Sequence, residues 1–373
     1  MTTLPRDRRT TGPQPGTSTP TAEHATGAGA SRGITRLAFG AATIGNLYRA
    51  VDDDVARRAV DAAWDAGVRY FDTAPHYGLG LSERRLGAAL AHRPRDQFML
   101  STKVGRLLRP REGGGNDLIS GGYDVPASHE RVWDFSRAGV RASLEESLER
   151  LGLDRVDIVY LHDPDEHWPQ AVDEAFPALV ELRDQGVVGR IGVGMNQSQM
   201  LARFVTDADP DVVMLAGRYT LLEQPALEDL LPCAAERGVA VIAVGVFNSG
   251  LLSRPGVSDD ARYNYAQAPQ ELIARARELA SVCRRFGVVL PRAAIQFPFG
   301  HPAVAAVAVG ARTAEQISDA AAWLAEPVPA ELWAALRTEG LLPEAVPVPS
   351  APPQPTGGGS ATSTDRPPAR TER

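Results

Sequence analysis

Between about residues 33 and 345, short β-like runs alternate with amphipathic helical stretches, and no other feature constrains the fold as strongly. The runs lie near Leu37–Phe39, Arg69–Asp72, Met99–Lys103, Asp157–Leu161, Ile191–Gly194, Val212–Leu215, Val239–Val244 and Val304–Val309. Helical periodicity fills the intervals, for example over Asp54–Ala66, Ser82–Leu90, Ser136–Leu151, Ala171–Gln185, Leu227–Arg237, Gln270–Phe286 and Thr313–Leu324. Gly67, Gly186, Gly238 and Gly287 stand where helices should stop. Repeated β-then-α units call for a parallel sheet, and eight of them close into an α/β fold of the (β/α)8 TIM-barrel type.

The ends of these runs carry the chemistry. Phe71-Asp72-Thr73-Ala74-Pro75-His76-Tyr77-Gly78 delivers an Asp and, in a tight turn, a Tyr; later runs deliver Lys103 and His162. Barrel enzymes build their active sites at the C-terminal ends of the strands. A phenol of pKa near ~10 shuttles protons poorly at neutral pH. A buried Lys beside Tyr77 favours the phenolate, and an Asp paired to that Lys keeps it charged. A His alongside can polarise and orient a carbonyl or hydroxyl oxygen. Any one of these residues alone reads more simply as a packed or solvated side chain. Four of them at strand ends read as a proton-transfer site with Asp72, Tyr77, Lys103 and His162 as its catalytic set.

The net charge of −7 and the lack of a basic run interleaved with aromatics argue against a nucleic-acid partner. No apolar run is long enough to span a membrane. Arg8-Arg9 is followed by no apolar segment of the kind an export signal needs. Two widely spaced cysteines, Cys233 and Cys283, suggest reduced thiols in a cytoplasmic protein. Residues 1–32 and 346–373, rich in Pro, Gly and Thr, are expected to be disordered tails around one barrel domain. The stretch 105–134 follows the Lys103 run and is rich in Gly, Arg and Pro. It reads as a long, irregular substrate loop on the catalytic face, with Tyr123 and Trp133 as candidate contacts and Tyr48 as a third from the loop after the first run.

These motifs together resemble the aldo-keto reductase superfamily. The carriers are residues 71–78, Leu-Ser-Glu-Arg-Arg-Leu-Gly (81–87), Ser-Thr-Lys-Val-Gly-Arg (101–106), Tyr-Leu-His-Asp-Pro-Asp (160–165) and Val-Gly-Ala-Arg-Thr-Ala-Glu-Gln-Ile (309–317). Residues 192–197, 247–252, 263–269 and Gln296-Phe-Pro further resemble the branch of aldose (L-fucose) 1-dehydrogenases and pyridoxal dehydrogenases. The resemblance implies an oxidoreductase that moves hydride between NAD or NADP and a small-molecule carbonyl, sugar or pyridoxal substrate, with Tyr77 as proton donor or acceptor. It further implies cofactor contacts at Gly40, at Met195 and Asn196 (nicotinamide carboxamide) and at Tyr219 (nicotinamide stacking). Gly245, Val246, Phe247 and Ser249 would meet the pyrophosphate, and Gly310, Ala311, Arg312 and Gln316 the adenosine end.

Some positions depart from that pattern. Met195 replaces the usual Ser, and Ala216 the usual Gln. Gly310, Ala311 and Gln316 replace residues that bind a 2′-phosphate in NADP-preferring members, which favours NAD, while Arg312 could still pair with such a phosphate. The alternatives are an NADPH-dependent aldehyde or ketone reductase and an NAD(P)-binding regulatory scaffold. A metal centre at His162–His167 is not expected, because metal-dependent barrels gather ligands from several strands.

Overall fold

A computed structural model describes residues 33–350 except Tyr265. Eight parallel strands form a closed barrel in which every strand pairs with its neighbours in the chain. They are β1 (Leu37–Gly40), β2 (Tyr70–Asp72), β3 (Met99–Val104), β4 (Val156–His162), β5 (Val188–Met195), β6 (Val212–Ala216), β7 (Ala240–Val244) and β8 (Val304–Gly310). The expected α/β barrel is what forms. Helices cover its outside, and their apolar faces join the outer faces of the strands in one large core. The expected helix over Ala171–Gln185 is interrupted: a single wide turn over Ala171–Ala175 precedes a regular helix, Phe176–Asp184.

Side-chain alternation along the strands decides what the barrel interior contains. Ala38, Tyr70, Ile158, Tyr160, Met214, Ile242 and Ala308 belong to the apolar cluster that fills its lumen. Because successive residues face opposite ways, the parity that points Tyr70 and Tyr160 inward also points Asp72 and His162 inward, one layer nearer the catalytic end. Thr102 has the opposite parity and faces the helix layer, where it donates to buried Glu83 at 2.8 Å. Arg150 reaches the same carboxylate at 2.6 Å, so helix Leu81–Leu90 is tied to β3 and to helix Arg137–Leu151.

Two expectations about segment boundaries change. The stretch 105–134 is not irregular throughout. Arg106–Pro110 and His129–Trp133 pair as an antiparallel hairpin, whose connecting loop folds back over the barrel mouth. At the C-terminal side, packing continues past 345: Val346 is buried, and Pro347 and Val348 lie against Gly300. Residues 1–32 and 351–373, which hold most of the expected tails, lie outside the described residues.

Candidate active site

The turn after β2 sets the position of Tyr77. Gly78 has φ +63°, and a Cβ there would fall 2.2 Å from the Gly45 carbonyl oxygen, so only glycine lets the two loops meet this closely. Thr73 and Ser82 share a hydrogen bond at 2.8 Å, and Ser82 donates to the Ala41 carbonyl at 2.8 Å. Tyr77 is thereby held at the mouth of the barrel by backbone geometry.

Below it, Lys103 donates to Asp72 Oδ2 at 2.6 Å and to the Thr73 carbonyl at 3.0 Å. Both members of this ion pair are almost fully buried. The ammonium sits 4.7 Å from the centre of the Tyr77 ring. Gly194 on β5 faces the same space, where a Cβ would make ordinary contacts, 3.9 Å from Lys103 Cε and 3.4 Å from Met214 Cβ. Ser101 donates to Asp72 Oδ1 at 2.6 Å, Tyr70 and Ser101 share a bond of 3.1 Å, and Tyr70 and Tyr160 one of 3.0 Å. A hydroxyl chain thus runs from the lumen core to the carboxylate. Burial pushes both phenols of the chain above their ordinary range, so they remain neutral. With Asp72 accepting from both sides, the buried ion pair has the extra hydrogen bonds such a pair needs.

His162 completes the set. Its ring lies edge-on to Tyr77, with centroids 5.9 Å apart. Burial, reinforced by Arg106, Lys103 and His76, holds it well below the usual histidine pKa, so it is neutral at physiological pH. Its Nδ1 is buried and has no hydrogen-bond partner among the described residues. All four residues of the expected catalytic set are therefore brought together, and Tyr77, Lys103 and His162 line one cleft of about 730 Å³.

The expected cofactor and substrate residues divide. Tyr48, Tyr123, Met195 and Asn196 line the cleft. Tyr48 N–H donates to the Gly122 carbonyl at 2.8 Å and Asp124 N–H to that of Asn46 at 2.9 Å, which docks the hairpin loop on the loop after β1. Trp133 is not a cleft residue: it packs on Phe135 and His167, with the Arg106 guanidinium 4.2 Å above its ring. Tyr219 is not one either. It is buried against Phe297 and His301, where the barrel wall and the helix layer cover it. In place of these two aromatics, Arg106, Met214, Ala216 and Val244 line the cleft.

Gly40 ends β1 and pairs with Gly310 at the end of β8. Gly245 (φ +67°) and Ser249 (φ +58°) are left-handed residues of the loop after β7, with Val246 buried and Phe247 against Trp323. Ala311 accepts a hydrogen bond of 2.8 Å from Thr43, and Arg312 donates to the Leu47 carbonyl at 2.8 Å. The Gln316 side chain accepts from Arg312 N–H at 2.8 Å. Arg312 Nε and Asn248 Oδ1, one on each of the two loops, are buried without a partner among the described residues. Such atoms, beside glycine and alanine positions, suit an extended polar ligand.

Arg106, Asp163 and His76 were not singled out in the sequence. Arg106 pairs with Asp163 at the end of β4, and both line the cleft. Their one sequence signal was position, each just after a strand that carries a residue of the expected catalytic set.

Comparison with known proteins decides the family. Residues 36–338 match the Aldo/keto reductase family. The chain belongs to it. As a member, it is an NAD(P)-dependent oxidoreductase. It is 51% identical over 320 residues to a D-threo-aldose 1-dehydrogenase of a Pseudomonas species, covering 85% of this chain and 97% of that one. A pyridoxal 4-dehydrogenase of Microbacterium luteolum is 38% identical, covering 83% and 95%. The solved holo form of an aldo-keto reductase from Bacillus halodurans matches with a TM-score of 0.64 at 27% identity, covering 84% and 94%. Among the described residues, no helix is long and apolar enough to cross a membrane.

Proposed function

We propose that this enzyme oxidises the anomeric hydroxyl of a free aldose to a lactone, with NAD⁺ preferred over NADP⁺. The observation that carries the substrate class is the 51% identity, over nearly the whole relative, to a D-threo-aldose 1-dehydrogenase. The site supplies matching chemistry. In the reaction the anomeric C–H and O–H bonds break and a C=O bond forms; the bound nicotinamide supplies the two-electron acceptor. Tyr77 as phenolate takes the hydroxyl proton, and the Lys103 ammonium, fixed by Asp72, stabilises that phenolate. Neutral His162 donates a hydrogen bond to the reacting oxygen and orients it.

Met195 and Asn196 are the proposed carboxamide contacts. The loop Gly245–Ser249, with Val246 and Phe247, is proposed for the pyrophosphate. Gly40, Gly310, Ala311, Arg312 and Gln316 are proposed for the adenosine end, where uncharged residues at 310, 311 and 316 leave Arg312 as the cation of that segment. Two unpaired cysteines support a cytoplasmic setting, and the acidic net charge a small-molecule rather than a nucleic-acid partner. The test is a panel of aldoses, pyridoxal and simple aldehydes with NAD⁺, NADP⁺, NADH and NADPH, followed by absorbance of the reduced cofactor. An aldose with NAD⁺ should give the highest kcat/KM. A far higher value for NADPH-driven aldehyde reduction would establish a reductase instead.

A further inference from the structure

His76 is the side chain of the 71–78 turn that the reaction above leaves without a role. Its ring lines the cleft, with centroids 6.1 Å from Tyr77, 5.8 Å from His162 and 5.3 Å from Tyr123. From the hairpin, Arg131 donates its Nε–H to His76 Nδ1. A guanidinium only donates, so Nδ1 is the bare nitrogen of the ring and the proton of the neutral imidazole lies on Nε2. The protein has chosen the tautomer.

Arg131 is itself fixed. Its two terminal nitrogens donate to the two carboxylate oxygens of Asp117, at 2.8 and 2.5 Å, and Asp117 is buried. Such bidentate pairing fixes direction as well as distance. Gly121 makes the pair possible: a Cβ there would fall 2.3 Å from Asp117 Oδ2 and 2.4 Å from an Arg131 nitrogen. Gly121 also lines the cleft, so a continuous set of contacts runs from the hairpin loop to the imidazole. Burial, with Arg106, Arg131 and Lys103 nearby, holds His76 well below the usual histidine pKa. The ring is a neutral donor.

We propose that His76 is a specificity-determining residue that donates its Nε2–H to a substrate hydroxyl beside the reacting carbon, and that Asp117 and Arg131 are positioning residues that fix its tautomer. The identity of the hydroxyl-bearing substrate rests on the aldose reading above; the tautomer does not. A role confined to holding the hairpin down predicts no effect on hydroxyl discrimination.

Two measurements decide. In ¹⁵N-histidine NMR of the full-length enzyme, the His76 resonances, identified by their absence in His76→Asn, should show Nε2–H with a bare Nδ1. In Arg131→Met the same ring should become a mixture of tautomers. Nδ1–H in the unmodified enzyme, or no change in Arg131→Met, overturns the positioning role.

The second measurement is the kcat/KM ratio of the best aldose to its monodeoxy analogues. At one position the unmodified enzyme should prefer the parent sugar by about 3- to 10-fold, the effect of one neutral hydrogen bond. His76→Phe and His76→Asn should lose that preference. His76→Gln, whose amide nitrogen reaches the place of Nε2, should restore it. An unchanged ratio in His76→Phe, with aldoses still turned over, refutes this inference alone. An unmodified enzyme that oxidises no aldose refutes the substrate reading, and the hydroxyl assignment with it.

Discussion

Strands β2 to β4 bring Asp72, Lys103 and His162 to the rim of the barrel, whereas β6, β7, β8 and β1 end in Ala216, Val244, Gly310 and Gly40. The first half is dense in charge and hydrogen bonds, with the Lys103–Asp72 pair buried and the Arg106–Asp163 pair partly so. The second half is small and uncharged at the strand ends, and its polar atoms come from loops, as at Asn248 and Arg312. One fold supports both because strand ends in a barrel are fixed by the sheet, while the residues they carry are free to vary. Charge that must be placed to a fraction of an ångström is carried at or beside rigid strand ends. Room for an extended ligand is made by omitting side chains.

The largest effect is expected from Tyr77→Phe. It should lower kcat on the order of a hundred- to ten-thousand-fold while cofactor affinity, read by fluorescence titration, stays within about twofold. A large loss of cofactor affinity would mean that the two halves are not separable. Next in size is Lys103→Met. It leaves Asp72 buried without its cation, a change that costs about 3–5 kcal/mol of stability if the carboxylate stays charged. It also removes the positive charge nearest the Tyr77 ring, so the rise of oxidation rate with pH should move to higher pH. An unmoved pH profile in the residual activity would show that Lys103 does not tune Tyr77.

In the other half, Arg312→Ala should lower kcat/KM with NADP⁺ by about tenfold, the worth of one charge-assisted hydrogen bond, and with NAD⁺ by much less. Equal losses with both cofactors would remove Arg312 from 2′-phosphate recognition. The smallest effect concerns pH and stability. The folded-state pKa of His76 is depressed, so the unfolded chain binds its proton more readily, and the stability gained from the neutral ring is present above about pH 6.5 and lost as pH falls toward the folded-state value. The difference in melting temperature between the unmodified enzyme and His76→Asn should therefore shrink in the unmodified enzyme's disfavour from pH 7 to pH 5. A difference that is flat across that range would contradict a depressed His76.

Much of the site was legible because strand parity is a local property. Asp72, Lys103 and His162 could be placed from apolar runs that end in the right residue, and Tyr77 from the Pro/Gly turn that follows. The hairpin was not legible, since Arg106–Pro110 and His129–Trp133 are separated by a long Gly-rich loop and neither has a clear alternation of its own. Trp133 and Tyr219 misled for a related reason. The side an aromatic takes, at the end of a hairpin strand or in the loop after a barrel strand, is set by its packing partners, Phe135 and His167 for the half-exposed Trp133 and Phe297 for the buried Tyr219.

The eight-stranded barrel and the family are legible in the chain, and so is the expected proton-transfer set of Asp72, Tyr77, Lys103 and His162, because each is read from short-range pattern and from motifs in register. What those residues meet follows from contacts made across the closed barrel. The hydroxyl chain from Tyr160 to Asp72 crosses four strand positions as far as 90 residues apart. The Asp117–Arg131–His76 contacts join a loop, a hairpin strand and a turn. Hydrogen bonds and close contacts of this kind depend on distances in space that no spacing along the chain encodes. They exist only once the barrel has closed and the hairpin has folded over its mouth.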